Sequence, residues 1–131
     1  MGSPTFESLH IWHDARDLVS RVYSMTRTSA FASDFALRDQ IRRAALSVMS
    51  NIAEGHERSG NREFVHFLAI AKSSCGEVRS QLYVAEDVGY IRSSDAAELR
   101  GAAANLSRKI QALAASRKGK GEPLCGKQAR T

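Results

Sequence analysis

The chain has 131 residues, 43% of them hydrophobic, and a formal charge of +5. That length suits one domain able to bury about two-thirds of its unfolded surface without disulfides or metals. No run of about 20 apolar residues marks a membrane span, and two cysteines, Cys75 and Cys125, are too few for a disulfide scaffold, so a reducing cytoplasm is expected.

The start, Met1-Gly2-Ser3-Pro4, lacks a basic region followed by an apolar one, so no signal peptide is expected. Pro4 and Pro123 both lie outside residues 5–117, which leaves that span open to long helices. Four blocks then repeat apolar residues at helical spacing. The first runs through Ile11, Ala15, Leu18, Val22 and Met25, with Leu9, Trp12, Val19 and Tyr23 beside that stripe. The second runs through Leu37, Ile41, Ala44, Val48 and Ile52; Ser33 is its expected N-cap, and Gly55 its expected C-terminal residue of positive φ. The third is the most regular: Phe64, Leu68, Ala71, Cys75, Val78, Leu82 and Ala85, with Phe67, Ile70, Tyr83 and Val84 alongside. Asn61 is its expected N-cap, Glu63 adds negative charge in the first turn, and Gly89 suits its C-terminal end. The fourth runs through Leu99, Ala103, Leu106, Ile110 and Leu113, preceded by Asp95 and Glu98 in a capping-box-like pair.

Steps of four and three average 3.5 residues, the seam of helices packed at small crossing angles. No block alternates with period two. The reading is all-α: an antiparallel up-down-up-down four-helix bundle over residues 1–116, joined by short polar turns. Residues 117–131 hold Arg117, Lys118, Lys120, Lys127 and Arg130 against Glu122, a charge of +4 that leaves +1 for residues 1–116. With Gly119, Gly121, Pro123 and Gly126 among them, these residues read as a disordered basic tail. The apolar residues beside the main stripes have two readings, a broad core face or a surface covered by another subunit.

Several motifs are tested and set aside. Glu7-Ser8-Leu9-His10 and Glu63-Phe64-Val65-His66 match the Glu-x-x-His spacing of di-iron bundles. His66, however, lies about 200° from Phe64 on a helix and faces away from the core, and Glu7 and His10 fall at the start of the first block. No metal site is expected. Gly121-Glu122-Pro123-Leu124-Cys125-Gly126-Lys127-Gln128 approximates a P-loop, but Gln128 replaces the hydroxyl residue and neither strand nor helix flanks it. Cys75 falls on the core stripe, where an inert thiol is expected.

The basic residues carry the remaining signal. Arg38 and Arg42 lie one turn apart with Arg43 beside them, Arg58 and Arg62 follow in the next turn, and Lys72 and Arg79 share a face of the third helix. One reading pairs Asp39 with Arg43 and leaves the rest as a solvated face. The other is a phosphate-binding surface assisted by Arg117, Lys118 and Lys120. Aromatic residues do not interleave with these arginines, so base stacking is not expected.

Leu37-x-x-Gln40-Ile41-x-Arg43-Ala44-x-x-Ser47, followed by Ser50-Asn51-Ile52-Ala53-Glu54-Gly55, resembles the four-helix-bundle proteins encoded in 23S rRNA intervening sequences. Phe6, Leu9, Trp12 and Tyr23 extend the resemblance on one side, and Phe67-Leu68-x-Ile70-Ala71, Ser74, Glu77, Leu82 and Gly89-Tyr90 on the other. It covers residues 6–113. Met49 replaces a frequent Pro and Ser73 a usual Gly, which bears on the bend of the second helix and on a close helix contact. The resemblance implies an antiparallel four-helix bundle that assembles as a homopentamer and carries over no catalytic residue; together with the readings above, a cytoplasmic non-enzyme with no cofactor, metal or membrane partner is expected. A related branch, the accessory protein of diversity-generating retroelements, implies RNA or DNA as a partner; the alternative is a protein-interaction scaffold with no nucleic-acid role. Asn51, Glu54 and Gly55 then mark a hydrogen-bonded helix end or a subunit contact.

Overall fold

The apolar spacing is realised as five helices, and no strand occurs among the described residues. The structure, a computed structural model, describes residues 5–118. A 3-10 turn at Phe6–Ser8 leads into α1 (His10–Met25), α2 (Ser29–Ser33), α3 (Phe35–Glu57), α4 (Asn61–Asp87) and α5 (Ser93–Lys118). The four long helices coincide with the four periodic blocks. α1 packs on α3 and α5, and α4 has the most extensive contacts, with α3 on one side and α5 on the other.

Side-chain pairs set the local directions. Gln81 donates to Gln40 at 3.3 Å and Ser74 to Ser47 at 2.8 Å, so residue numbers rise along α3 as they fall along the facing side of α4. Arg100 meets Glu86 at 2.8 Å near one end of α4 and α5, while Arg117 reaches Asn61 at 3.5 Å near the other. Lys109 meets Asp14 and Arg21 meets Glu98, which runs α1 against α5 in the same way. Between them lies one apolar core that includes Leu18, Ile41, Ile52, Leu68, Leu82 and Ile110. Fully burying each such side chain contributes about 1.5–3 kcal/mol.

The connections differ from expectation. The turn before α3 contains α2, whose Phe31 is fully buried. A lone aromatic among Ser, Thr and Ala has no periodicity to announce it. Asp34, not Ser33, caps α3, its Oδ1 accepting from the Leu37 backbone N–H at 3.1 Å. Gly60, not Asn61, precedes α4, because the turn needs φ of +91° there. α5 begins at Ser93, so Asp95 lies inside its first turn and Glu98 pairs with Arg21. Arg117 and Lys118, assigned from sequence to the tail, complete α5.

The α4–α5 turn follows expectation. Gly89 takes φ of +84°, Gly89 N–H bonds to Glu86 O and Tyr90 N–H to Ala85 O, the paired bonds of a Schellman ending. Tyr90 then stacks on Phe31 at 5.1 Å and donates to Asp34 Oδ2 at 2.9 Å, a bond to the carboxylate that raises the phenol's pKa above its ordinary value. One carboxylate thus holds the start of α3 against the α4–α5 turn.

Gly55 serves a different purpose from the one its neighbours suggest. α3 continues past it to Glu57, and a Cβ at Gly55 would stand 2.7 Å from Phe67 Cβ and 3.1 Å from Phe64 Cδ1. The missing side chain is what lets α4 turn back closely on α3. Gly55→Ala should gain about 1 kcal/mol of helix propensity and lose about 1–3 kcal/mol to overpacking, a net destabilisation. Gly101→Ala, where an added Cβ meets nothing within 4 Å, should stabilise by about 0.4–1 kcal/mol. Urea unfolding of both variants measures the opposite signs.

Candidate nucleic-acid interface

The basic residues singled out from sequence fall into two groups. Arg38, Arg42 and Arg43 lie in the first turns of α3, and Arg58 and Arg62 in and after the turn that follows it. From Arg42 to Arg58 is about 24 Å at 1.5 Å per residue. Arg117 and Lys118 join the second group through the Arg117–Asn61 contact. Lys120, the P-loop-like stretch and the rest of the proposed tail lie outside the described residues.

Most of these guanidinium groups already have partners. Arg38 donates to Asp39 at 2.9 Å and to Ala32 O at 3.2 Å, over the Phe35 ring at 4.8 Å. Arg42 Nε donates to Thr26 Oγ1 at 2.7 Å over the Tyr23 ring at 4.3 Å, and the buried Thr26 hydroxyl donates to Val22 O. Arg42 therefore ties α3 to the end of α1. Arg58 meets Glu54 at 2.8 Å and Glu63 at 3.9 Å over the Phe67 ring, and Arg117 lies over Phe64 at 5.0 Å. Such stacking is worth about 0.5–2 kcal/mol as solvent is excluded, and it occupies one face of each planar group. Local spacing does not reveal it, because Tyr23, Phe64 and Phe67 reach their arginines across helices and turns. Arg43 and Arg62 are exposed.

The three signature residues separate in their surroundings. Asn51 is half-buried and donates to Ser47 O at 2.8 Å and Ser47 Oγ at 3.1 Å; Ser47 Oγ also accepts from the buried Ser74. This chain of polar groups crosses the α3–α4 contact. Glu54 is exposed and serves Arg58. Gly55 provides the close approach of α4.

Grooves between the helices carry several of the remaining charged residues. Between α3 and α4, a groove of about 630 Å³ sets Arg43 beside Glu77, with Gln40 and Gln81. Between α4 and α5, one of about 550 Å³ is lined by Lys72, Arg79 and Lys118. Seven-residue spacing puts Lys72 and Arg79 on one face of α4, but nothing local in the sequence brings Lys118 to them. A third, between α1 and α5, holds Asp14, Asp17 and Lys109.

The other chemistry considered from sequence finds no assembled site. Among the described residues no group of three His, Cys, Asp or Glu side chains could hold a metal ion, and His66 is exposed. No helix among the described residues is long and apolar enough to cross a membrane. Cys75 is buried in the core, and desolvation pushes its thiol up to about 11, against the opposing influence of Lys72 and Arg79.

Comparison with known proteins supports the fold. Residues 7–112 match the family model of the 23S rRNA-intervening sequence protein. A crystal structure of a protein with unknown function from the S23 ribosomal protein family of Bacteroides thetaiotaomicron superposes with a TM-score of 0.72 at 17% identity, covering 79% of this chain and 97% of that one. No curated protein matches the chain.

Asn51→Ala should cost about 1 kcal/mol, because it removes donors to a half-buried network. Glu54→Ala should cost less than about 0.5 kcal/mol, as for an exposed ion pair at i,i+4. Chemical denaturation separates the two. In a Cys125→Ser background, Cys75 should resist alkylation at pH 8 in the folded chain and react on unfolding, which thiol titration in rising urea would follow.

Proposed function

The chain belongs to the 23S rRNA-intervening sequence protein family, and we propose that it is a non-enzymatic assembly protein. In this reading α1, α3, α4 and α5 form an antiparallel up-down-up-down four-helix bundle over residues 1–116. Copies of the bundle, with Arg117 and Lys118 completing α5, close into a homopentamer. The assembly works in the cytoplasm as a scaffold for a macromolecular partner.

The observation that carries this reading is uncovered apolar surface at one end of the molecule. Phe35 is 63% exposed, Tyr83 54%, Val84 46% and Val88 55%. Phe35 starts α3 and the other three close α4, at the end where Asp34 meets Tyr90. Arg100 lies over one face of Tyr83 and Arg38 over Phe35; covering the apolar surface that remains exposed contributes about 25 cal/mol per Å², which favours a protein contact. A head-to-tail contact between two different faces is satisfied in full only when the ring closes.

A nucleic-acid accessory role through the sequence-derived arginines has less support. Arg38, Arg42 and Arg58 are held by internal partners, and of the exposed pair Arg43 and Arg62, Arg43 faces Glu77 across a groove.

Light scattering at micromolar concentration should give about five times the 14.3 kDa chain mass. A Phe35→Glu, Val88→Glu variant should retain helical circular dichroism and give a smaller mass. A wild-type mass near 14.3 kDa overturns the assembly.

A further inference from the structure

We propose that the groove between α4 and α5 binds the sugar–phosphate backbone of a nucleic-acid strand. This goes beyond the assembly reading and does not rest on it.

The register of α4 creates the site. Val65, Lys72, Arg79 and Glu86 follow one another at seven-residue intervals, so they form a row two turns apart beside the buried seam of Leu68, Cys75 and Leu82. α5 supplies the opposite wall. At one end of the row Arg100 neutralises Glu86, in an ion pair whose side chains are only 16% and 24% exposed, and stacks on Tyr83 at 3.9 Å. Hydrogen bonds from Ser93 and then from Arg100 hold the Glu86 carboxyl below its ordinary value. Beyond that closed pair the acids stop. Lys72, Arg79 and Lys118 line the groove with Ser73, Ser107 and Gln111, and no carboxylate among the described residues lines it.

None of the three cations has a carboxylate or hydrogen-bond partner among the described residues, whereas the α3–α4 groove holds Glu77 and the α1–α5 groove holds Asp14 and Asp17. Unpaired like charges in one groove repel each other and focus a positive potential there. Such a cluster is relieved by an anion.

Spacing decides which anion. Lys72 and Arg79 are about 10 Å apart along α4 at 1.5 Å per residue. The Arg117–Asn61 contact places Lys118 level with the start of α4, about 17 Å beyond Lys72 along the helix. One phosphate group cannot meet all three. An extended chain of phosphates can, with the Ser73 and Ser107 hydroxyls and the Gln111 amide as neutral donors between the charges.

An acidic peptide fits less well. Both walls are helices whose backbone groups are satisfied internally, so there is no strand edge to pair with. Leu68 and Ile110 beneath the groove are fully buried and offer no pocket for an apolar anchor. A phosphodiester strand requires neither. No aromatic ring lines the groove, so binding reads the backbone and is indifferent to base sequence.

The test is fluorescence anisotropy of the full chain with labelled mixed-sequence single-stranded RNA and DNA at about 50 and 200 mM salt. Wild type should bind more tightly at the lower salt. Lys72→Glu, Arg79→Glu should lose at least about tenfold in affinity and flatten the log–log salt slope by about 0.7–0.9 for each contact removed. Arg92→Glu, an exposed cation in the α4–α5 turn, should bind as wild type, and Lys72→Arg should retain affinity. No binding at the lower salt by a chain that is helical by circular dichroism overturns the proposal, as does equal loss in the Arg92 variant. Polyglutamate that competes as well as RNA would assign the groove to acidic proteins instead, and also overturns it.

Discussion

The register of α4 is the constraint on which the rest of the structure depends. Phe64, Leu68, Ala71, Cys75, Val78, Leu82 and Ala85 occupy one buried line along 27 residues, and the two most extensive helix contacts both involve this helix. With that line fixed toward the core, every other α4 residue is assigned to a flank. Ser74 and Gln81 fall toward α3, where they meet Ser47 and Gln40. Lys72, Arg79 and Glu86 fall toward α5. A shift of one position would turn these residues by about 100° and dissolve both sets of contacts.

The ends of the long helices are held by different means. At one end a carboxylate, Asp34, caps α3 and accepts from Tyr90, and Phe31 fills the space beneath. At the other, Gly55 lets Phe64 and Phe67 approach, and those two rings carry Arg117 and Arg58. The first end is fixed by directed hydrogen bonds, the second by the absence of a side chain. Both oppose sliding of α3 against α4.

Positive charge in this protein does two kinds of work. Arg42, Arg58, Arg100 and Arg117 lie over aromatic rings and bind elements together, which suits a planar, weakly hydrated guanidinium. Lys72, Arg79 and Lys118 have no ion-pair partner among the described residues, and they share one groove. Counting basic residues along the chain would merge these populations. Their surroundings separate them: the first group is part of how the chain folds, and the second is available to a partner.

Periodicity alone determined the helical class and the four long segments, because a stripe repeating every three to four residues has no other way to be buried on one side. It also located the core with few exceptions, and the Gly89 ending followed from local geometry. Short or solitary features were out of its reach. Phe31 has no repeat around it, and Asp34 outcompetes Ser33 as a cap because it also receives Tyr90 from 56 residues away. Gly55 looked like a helix end and is a packing site, a distinction that depends on where Phe67 stands. The basic patch expected on α3 was divided for the same reason, since Tyr23, Thr26 and Phe67 reach those arginines only in the folded chain. Spacing within one helix could place Lys72 with Arg79, but bringing Lys118 to them required α5 to pack along α4, and that is decided by the burial of both helices' seams against each other.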